Sequence, residues 1–134
     1  METHTLRVYY EDTDLAGIVY YANYLKFLER GRTEAIRAVG IDQRALKETE
    51  GVVFVVRRVE LDYHAPARFD DVLTVATATS DVGYASVTMR QGVWLGATLL
   101  VGAVVKMAAL GADGRVSRFP DGVRTALAQL AAGA

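Results

Sequence analysis

Three carboxylates, Glu11, Asp12 and Asp14, stand together in the segment EDTD, just before the longest helical pattern of the sequence. Gly17 marks a turn between the acids and that pattern. The start of a helix offers unpaired backbone N–H groups and a partial positive charge of roughly half an elementary charge. A carboxylate delivered there can act as a base or a nucleophile, while an N–H group stabilises negative charge that develops on an oxygen.

The helix that follows the acids is predicted to begin between Tyr21 and Asn23 and to end at Gly40. Asn23 is a suitable N-cap, and glycine accepts the left-handed conformation that closes a helix. Gly31 interrupts the helix at a cost of about 1 kcal/mol, which indicates a close approach to the sheet. The predicted apolar stripe, at spacings of three, four and seven, consists of Tyr24, Phe27, Leu28, Gly31, Ala35, Ala38 and Val39.

The other elements are mostly strands, and one long helix must bury its stripe on their common face. This predicts an α+β fold in which an antiparallel sheet curls around one helix. Alternation and β-branched residues predict strands over residues 5–10, 52–63, 72–82, 86–95 and 98–109, a short helix between Asp42 and Gly51, and a C-terminal helix after Pro120.

Length and composition favour a single domain over residues 1–134 with a full hydrophobic core, since half of the residues are apolar. The chain has no cysteine, which excludes disulfides, thiolate metal sites and cysteine nucleophiles. A formal net charge of −1 argues against broad nucleic-acid binding. Five basic and two acidic side chains follow Gly83, so a local basic patch for a small anion remains open.

The N-terminal residues lack the apolar core of a signal peptide. The longest uncharged stretch, residues 91–105, is shorter than the roughly 20 residues that a membrane-spanning helix needs. These features predict a cytoplasmic protein without a membrane span.

Two blocks, VYYEDTDLAGIVYYANYLKFLERGRTE and FVVRRVELDYHAPARFDDVL, resemble the hotdog-fold acyl-CoA thioesterases of the 4-hydroxybenzoyl-CoA thioesterase type. The similarity is greatest to the Tol–Pal-associated, YbgC-type branch. It implies a five- or six-stranded antiparallel sheet around one long central helix. It also implies an acyl-CoA substrate, no metal and no bound cofactor, and a homodimer or homotetramer with the active site at the subunit interface.

The resemblance assigns catalysis to Asp14 and to the backbone N–H of Tyr21, which would polarise the thioester carbonyl. The side chain of Asp14 would act as a nucleophile or as a general base, and the sequence leaves both open. The acyl group would contact Gly17, Ile18, Val19 and Tyr24 near the helix start. Basic candidates for the phosphates of coenzyme A are Arg57, Arg58, Arg68, Arg90 and Lys106.

At two places the sequence departs from the family pattern, so some properties of the family are not assigned to this chain. Many relatives of the Tol–Pal branch carry histidine where this chain has Tyr21, so an imidazole contribution and the substrate preference of that branch do not carry over. The arginine pair of the benzoyl-CoA enzymes near Tyr84 is absent, so the nucleotide site does not carry over either.

Alternatives concern both the base and the function. Glu29, about two turns into the helix, is a rival base, although an ion pair with Lys26 or Arg32 is the simpler interpretation. Glu11 and Asp12 are expected to orient the loop or to be solvated, without direct roles in catalysis. The same fold would also suit a non-catalytic protein that binds acyl-CoA or an acyl carrier protein, or an envelope-associated interaction protein. A dehydratase is disfavoured because His4 and His64 are poorly placed for it.

Overall fold

The computed structural model describes residues 1–132, two fewer than the predicted domain of residues 1–134. A single turn of 3-10 helix, Tyr10–Asp12, follows the first strand. The regular elements in chain order are β1 (Glu2–Arg7), α1 (Asn23–Ala38), α2 (Gln43–Glu50), β2 (Val53–Tyr63), β3 (Val72–Val82), β4 (Ser86–Leu95), β5 (Thr98–Leu110) and α3 (Asp121–Ala128).

The five strands form one antiparallel sheet in the order β1-β3-β4-β5-β2. The consecutive strands β3, β4 and β5 form a meander, in which Gly96 supplies the positive φ of the β4–β5 turn. β1 and β2 are the two edges. The predicted α+β class and the antiparallel sheet around a long helix are confirmed, with five strands.

Helix α1 lies across the inner face of the sheet and packs on β1, β3 and β4. Its glycine is required there: a Cβ at Gly31 would stand 2.5 Å from Cγ1 of Val75, on β3. Most of the predicted stripe is buried, but Ala38 is exposed and Val39 is only half-buried. The helix also buries Arg32 and Ile36, which follow Leu28 at spacings of four and so lie on the same side of the helix.

The first strand and the first helix differ from prediction at their boundaries. β1 ends at Arg7, since the chain then turns into the 3-10 helix and leaves Tyr10 82% exposed rather than on the strand's inner face. Asn23 is the first residue of α1 and not its cap, because Ala22 occupies the cap position in a helical conformation. Around α2 the prediction is confirmed: Asp42 accepts a hydrogen bond from the Ala45 N–H, and Gly51 is left-handed.

The edge strand β2 presents inner-face side chains that α1 does not cover. Val56, Val59 and Tyr63 belong to the inner register of β2, opposite buried residues of β5. All three are nevertheless exposed. An open groove therefore runs between α1 and β2. Within residues 1–132, no helix is both long and apolar enough to cross a bilayer.

Candidate active site

The carboxylate of Asp14 stands on a tight, exposed loop. Its own backbone closes the loop, because the Asp14 N–H donates to the carbonyl of Ile18 at 2.9 Å and its carbonyl accepts from the N–H of Gly17 at 3.0 Å. Oδ1 of Asp14 accepts a hydrogen bond from the Ala16 N–H at 2.9 Å, and no ion pair within residues 1–132 involves this carboxylate. The side chain is thus oriented by the loop while one oxygen stays open to a ligand.

Tyr21 lies two residues before α1, at the positive end of the helix. Its N–H donates no hydrogen bond within the described part of the chain. The carbonyl of the same residue accepts a hydrogen bond from the Tyr63 hydroxyl at 3.0 Å, so β2 holds this turn in place. An open N–H at a helix start is a donor that can stabilise an oxyanion.

Asp12 ties the Asp14 loop to the helix start. Its carbonyl accepts hydrogen bonds from the Tyr20 N–H at 2.9 Å and from Nδ2 of Asn23 at 2.9 Å. Its carboxylate accepts from the Tyr9 N–H at 2.8 Å. Asp14 and Tyr21 therefore each lie within two residues of one hydrogen-bonded pair, Asp12 and Tyr20. The prediction that Asp12 orients the loop agrees with this geometry.

Beneath the helix start lies a group of aromatic rings. The ring of Tyr24 packs edge-on against Phe27 and Tyr63, at centroid distances of 5.8 and 5.7 Å. Its hydroxyl accepts a hydrogen bond from the Ala67 N–H at 3.0 Å, and both residues are buried. Burial raises the pKa of the Tyr24 hydroxyl above its ordinary value of 10.0, with the hydrogen bond from Ala67 opposing the shift.

Replacing Tyr24 by Phe is expected to lower the free energy of unfolding by about 1–3 kcal/mol, because the buried Ala67 N–H loses its acceptor. Tyr63→Phe is the matched control, since its exposed hydroxyl contributes only about 0.5–1.5 kcal/mol. The raised pKa also makes wild-type stability fall as the pH rises from 10.0 through the folded-state pKa, where the unfolded chain has already released this proton. Urea titrations below and above that range check both effects. Equal losses in the two variants would contradict the assignment.

The other predicted binding residues are divided between the site and its surroundings. Gly17 is left-handed, with φ of +80°, Ile18 bridges to Arg68, and the Val19 side chain is in the core. Arg68 is exposed beside the loop, but Arg58 lies five residues from Tyr63 along β2, about 17 Å at the rise of an extended strand. In one chain, the structure thus brings Arg68 to the loop and leaves Arg57 and Arg58 at a distance.

Glu29 forms no ion pair with Lys26 or Arg32 in the described chain, although its charge acts on Arg32. Oε1 of Glu29 accepts a hydrogen bond from the Thr33 hydroxyl at 2.7 Å, one turn further along α1. Arg32 turns inward to Gln91 on β4 instead, at 3.0 Å from Nη1 to Oε1. The two ion pairs of the described chain, Arg37 with Glu34 and Arg58 with Glu60, lie elsewhere.

Sequence analysis missed the positioning role of Tyr63. The strand pattern VELDY places Tyr63 on the same face as Leu61 and Val59, which was the available signal for a contact with the helix start. The contact itself depends on the register between β2 and β5, which fixes the height of Tyr63 relative to Tyr21.

The arrangement of sheet, central helix and acidic loop is that of a known group of enzymes. The sequence profile of the thioesterase superfamily (4HBT) matches residues 16–101, a range that includes Tyr21 and begins two residues after Asp14. The chain belongs to the thioesterase superfamily, and the predicted hotdog fold is confirmed.

Within that superfamily the chain is similar to proteins of the YbgC type, as the resemblance predicted. It is 43% identical over 103 residues to the acyl-CoA thioesterase YbgC of Haemophilus influenzae, covering 77% of this chain and 76% of that protein. It is 46% identical over 86 residues to the acyl-CoA thioester hydrolase YbgC of Escherichia coli O157:H7, covering 64% of this chain and 63% of that protein. The crystal structure of a probable thioesterase from Bartonella henselae superimposes with a TM-score of 0.85 at 38% identity, covering 89% and 98% of the two chains.

Proposed function

We propose that this protein hydrolyses acyl-CoA thioesters to the free acid and coenzyme A. The observation that carries the proposal is that an unneutralised carboxylate, Asp14, and an open N–H, that of Tyr21, each lie within two residues of the hydrogen-bonded pair Asp12 and Tyr20 at the start of α1. The names of the YbgC relatives support the same substrate class. The acyl group is short or medium aliphatic, or aromatic.

In the proposed reaction, the thioester carbonyl oxygen accepts the hydrogen bond of the Tyr21 N–H. One donor of this kind contributes about 10²–10³ in kcat where it has been removed from other enzymes. Asp14 either deprotonates a water that attacks the carbonyl carbon or attacks that carbon itself. In the general-base route the carbon–sulfur bond breaks and the proton taken from water passes from Asp14 to the departing coenzyme A sulfur. In the nucleophilic route coenzyme A leaves as the thiolate from a mixed anhydride with Asp14; water then hydrolyses the anhydride, which releases the acid, restores the carboxylate and supplies the proton of the thiol.

Tyr21 would form the wall of the acyl site with its ring, beside Tyr63 at a centroid distance of 6.3 Å. Gly17 and Ile18 would flank the thioester on the loop, whereas Val19 and Tyr24 would support it from the core. Arg68, which is exposed next to Ile18, is the candidate nearest to the loop for a phosphate of coenzyme A. The reaction as proposed uses no metal and no bound cofactor.

We also propose that two copies pair along β2 and complete the site between them. β2 is an edge strand with exposed Val56 and Val59, an arrangement that edges of isolated monomers usually avoid. Three cavities on the described surface, of about 640, 370 and 130 Å³, are lined by neither Asp14 nor Tyr21. A pair across β2 would also bring Arg57 and Arg58 of one copy toward the other. Dimers of this kind would associate further into the proposed homotetramer.

The test is release of free thiol from a panel of aliphatic and aromatic acyl-CoA thioesters, measured alongside binding of the same compounds by calorimetry. The proposed function requires release that scales with enzyme concentration for at least one acyl class. Tight binding with no release for any member would contradict it and favour the non-catalytic binding protein. If the enzyme releases thiol from acyl carrier protein thioesters but not from coenzyme A thioesters, the thiol carrier of the substrate is acyl carrier protein.

A further inference from the structure

The groove between α1 and the edge strand β2 leads away from the candidate active site along one helix face. Leu25 and Arg32 are seven positions apart within α1, close to two full turns, so they lie on the same side of the helix about 10 Å apart along its axis. Four apolar side chains that a single chain leaves exposed lie along this route, Leu25 on the helix and Val56, Val59 and Tyr63 on the strand. In the proposed pair Val56 and Val59 would also border the partner copy.

The far end of this groove is a cavity of about 130 Å³. Apolar side chains of the sheet, Phe54, Val56 and Met107, form one wall. Arg32, Glu29 and Gln43 contribute its polar groups. The cavity therefore combines an apolar wall with a cationic group at the end of an apolar path.

Gln91, on β4, holds the side chain of Arg32 in position. The amide of Gln91 is fixed because its Nε2 donates to the carbonyl of Leu28 and to Oγ1 of Thr77, both at 2.9 Å. Its Oε1 is therefore turned toward Nη1 of Arg32 and accepts at 3.0 Å. A network of this kind sets the position of the guanidinium before any ligand arrives.

Arg32 forms no ion pair in the described chain, although the charge of Glu29 acts on it: burial lowers the pKa of Arg32, and Glu29 opposes that shift. Arg32 is 9% exposed, and the hydrogen bond to Gln91 is the only one that its side chain makes with residues 1–132. Glu29, on the exposed rim, is bonded to Thr33 and does not reach ion-pair distance. No side-chain nitrogen or oxygen of the described residues is both buried and without a partner, so the N–H groups of Arg32 that do not bond Gln91 keep some exposure. A guanidinium stays protonated at neutral pH. The remaining N–H groups of Arg32 are donors available to a ligand in the cavity.

We infer that the cavity at Arg32 binds a carboxylate at the far end of the acyl chain, so that the enzyme prefers thioesters of dicarboxylic acids over those of simple fatty acids. The apolar groove suits the methylene chain, and the planar guanidinium suits a terminal carboxylate. Glu29 is exposed, so solvent screens its charge, whereas Arg32 is mostly buried; we therefore expect the attraction of the ligand carboxylate to Arg32 to exceed its repulsion from Glu29. This inference rests on the proposed function, because it assigns the acyl group of the same reaction.

The experiment compares matched pairs of substrates, adipoyl-CoA with hexanoyl-CoA and suberoyl-CoA with octanoyl-CoA. Wild type is expected to favour the carboxylated member of at least one pair by about 10- to 100-fold in kcat/KM, the range of a hydrogen bond to a charged group. In Arg32→Met the ratio falls toward one, and in Arg32→Lys it stays above the Met value. Arg30→Met, an exposed arginine on another face of α1, keeps the wild-type ratio.

A binding measurement separates this inference from the proposed function. Free adipate is expected to raise the Tm of wild type more than hexanoate does, and Arg32→Met should remove the difference. If no thioester is hydrolysed but the adipate effect persists, the proposed function fails and the carboxylate site stands. Equal kcat/KM within both pairs in wild type, or an unchanged ratio in a folded Arg32→Met protein, would overturn the inference.

Discussion

Replacing Asp14 by Asn is expected to lower kcat for acyl-CoA hydrolysis by about 10²–10⁴-fold, the contribution of a positioned acid or base. Asparagine keeps the side-chain oxygen that accepts from the Ala16 N–H, so the loop geometry should survive. The variant loses the negative charge needed to deprotonate water or to attack the carbonyl. Steady-state kinetics give the change in kcat, and thermal denaturation shows whether the fold is retained.

Glu11→Gln is the control for this substitution, because Glu11 is an exposed acid in the same segment and should be dispensable. If Asp14→Asn keeps its activity and Glu29→Gln loses it, the base is Glu29 on helix α1 and not Asp14. Single turnover in heavy-oxygen water tests for the nucleophilic route of Asp14. Label in the Asp14 carboxylate marks a nucleophile whose anhydride water opens at the Asp14 carbon. Label only in the released acid is the result expected for a general base, and also for an anhydride opened at the acyl carbon.

Replacing Gly31 by Ala is expected to destabilise the protein by about 1–3 kcal/mol, the usual cost of overpacking a core. The added methyl group would stand 2.5 Å from Cγ1 of Val75, a side chain that is itself fully buried. Alanine is about 1 kcal/mol better than glycine in a helix, so any net loss reports the steric conflict with β3. Urea denaturation measures the change.

The matched control is Gly122→Ala in α3. Nothing lies within 4 Å of a Cβ at this position, so the same substitution should stabilise the protein by as much as about 1 kcal/mol. Opposite signs at the two positions would show that the close approach of α1 to the sheet, and not helix propensity, governs Gly31. Stabilisation in both variants would mean that Val75 moves aside at little cost.

The sequence by itself determined the elements and their class. Apolar spacing and alternation located α1 and all five strands, because these patterns depend on neighbours within a few residues. Asp42 and Gly51 marked the ends of α2 for the same reason. The segment EDTD and the helix behind it identified the candidate site and the superfamily, since both lie in one continuous stretch of chain.

Only the tertiary structure decided which distant residues complete that stretch. Tyr63 reaches the carbonyl of Tyr21 because β2 pairs with β5 in one particular register. Arg32, on a helix surface rich in charges, was expected to pair locally with Glu29, yet Gln91 draws it into a cavity from 59 positions away. Sequence patterns report only the neighbours of a residue along the chain. The contacts of Tyr63 and Arg32 depend on the order of the strands in the sheet and on the strand that the helix does not cover.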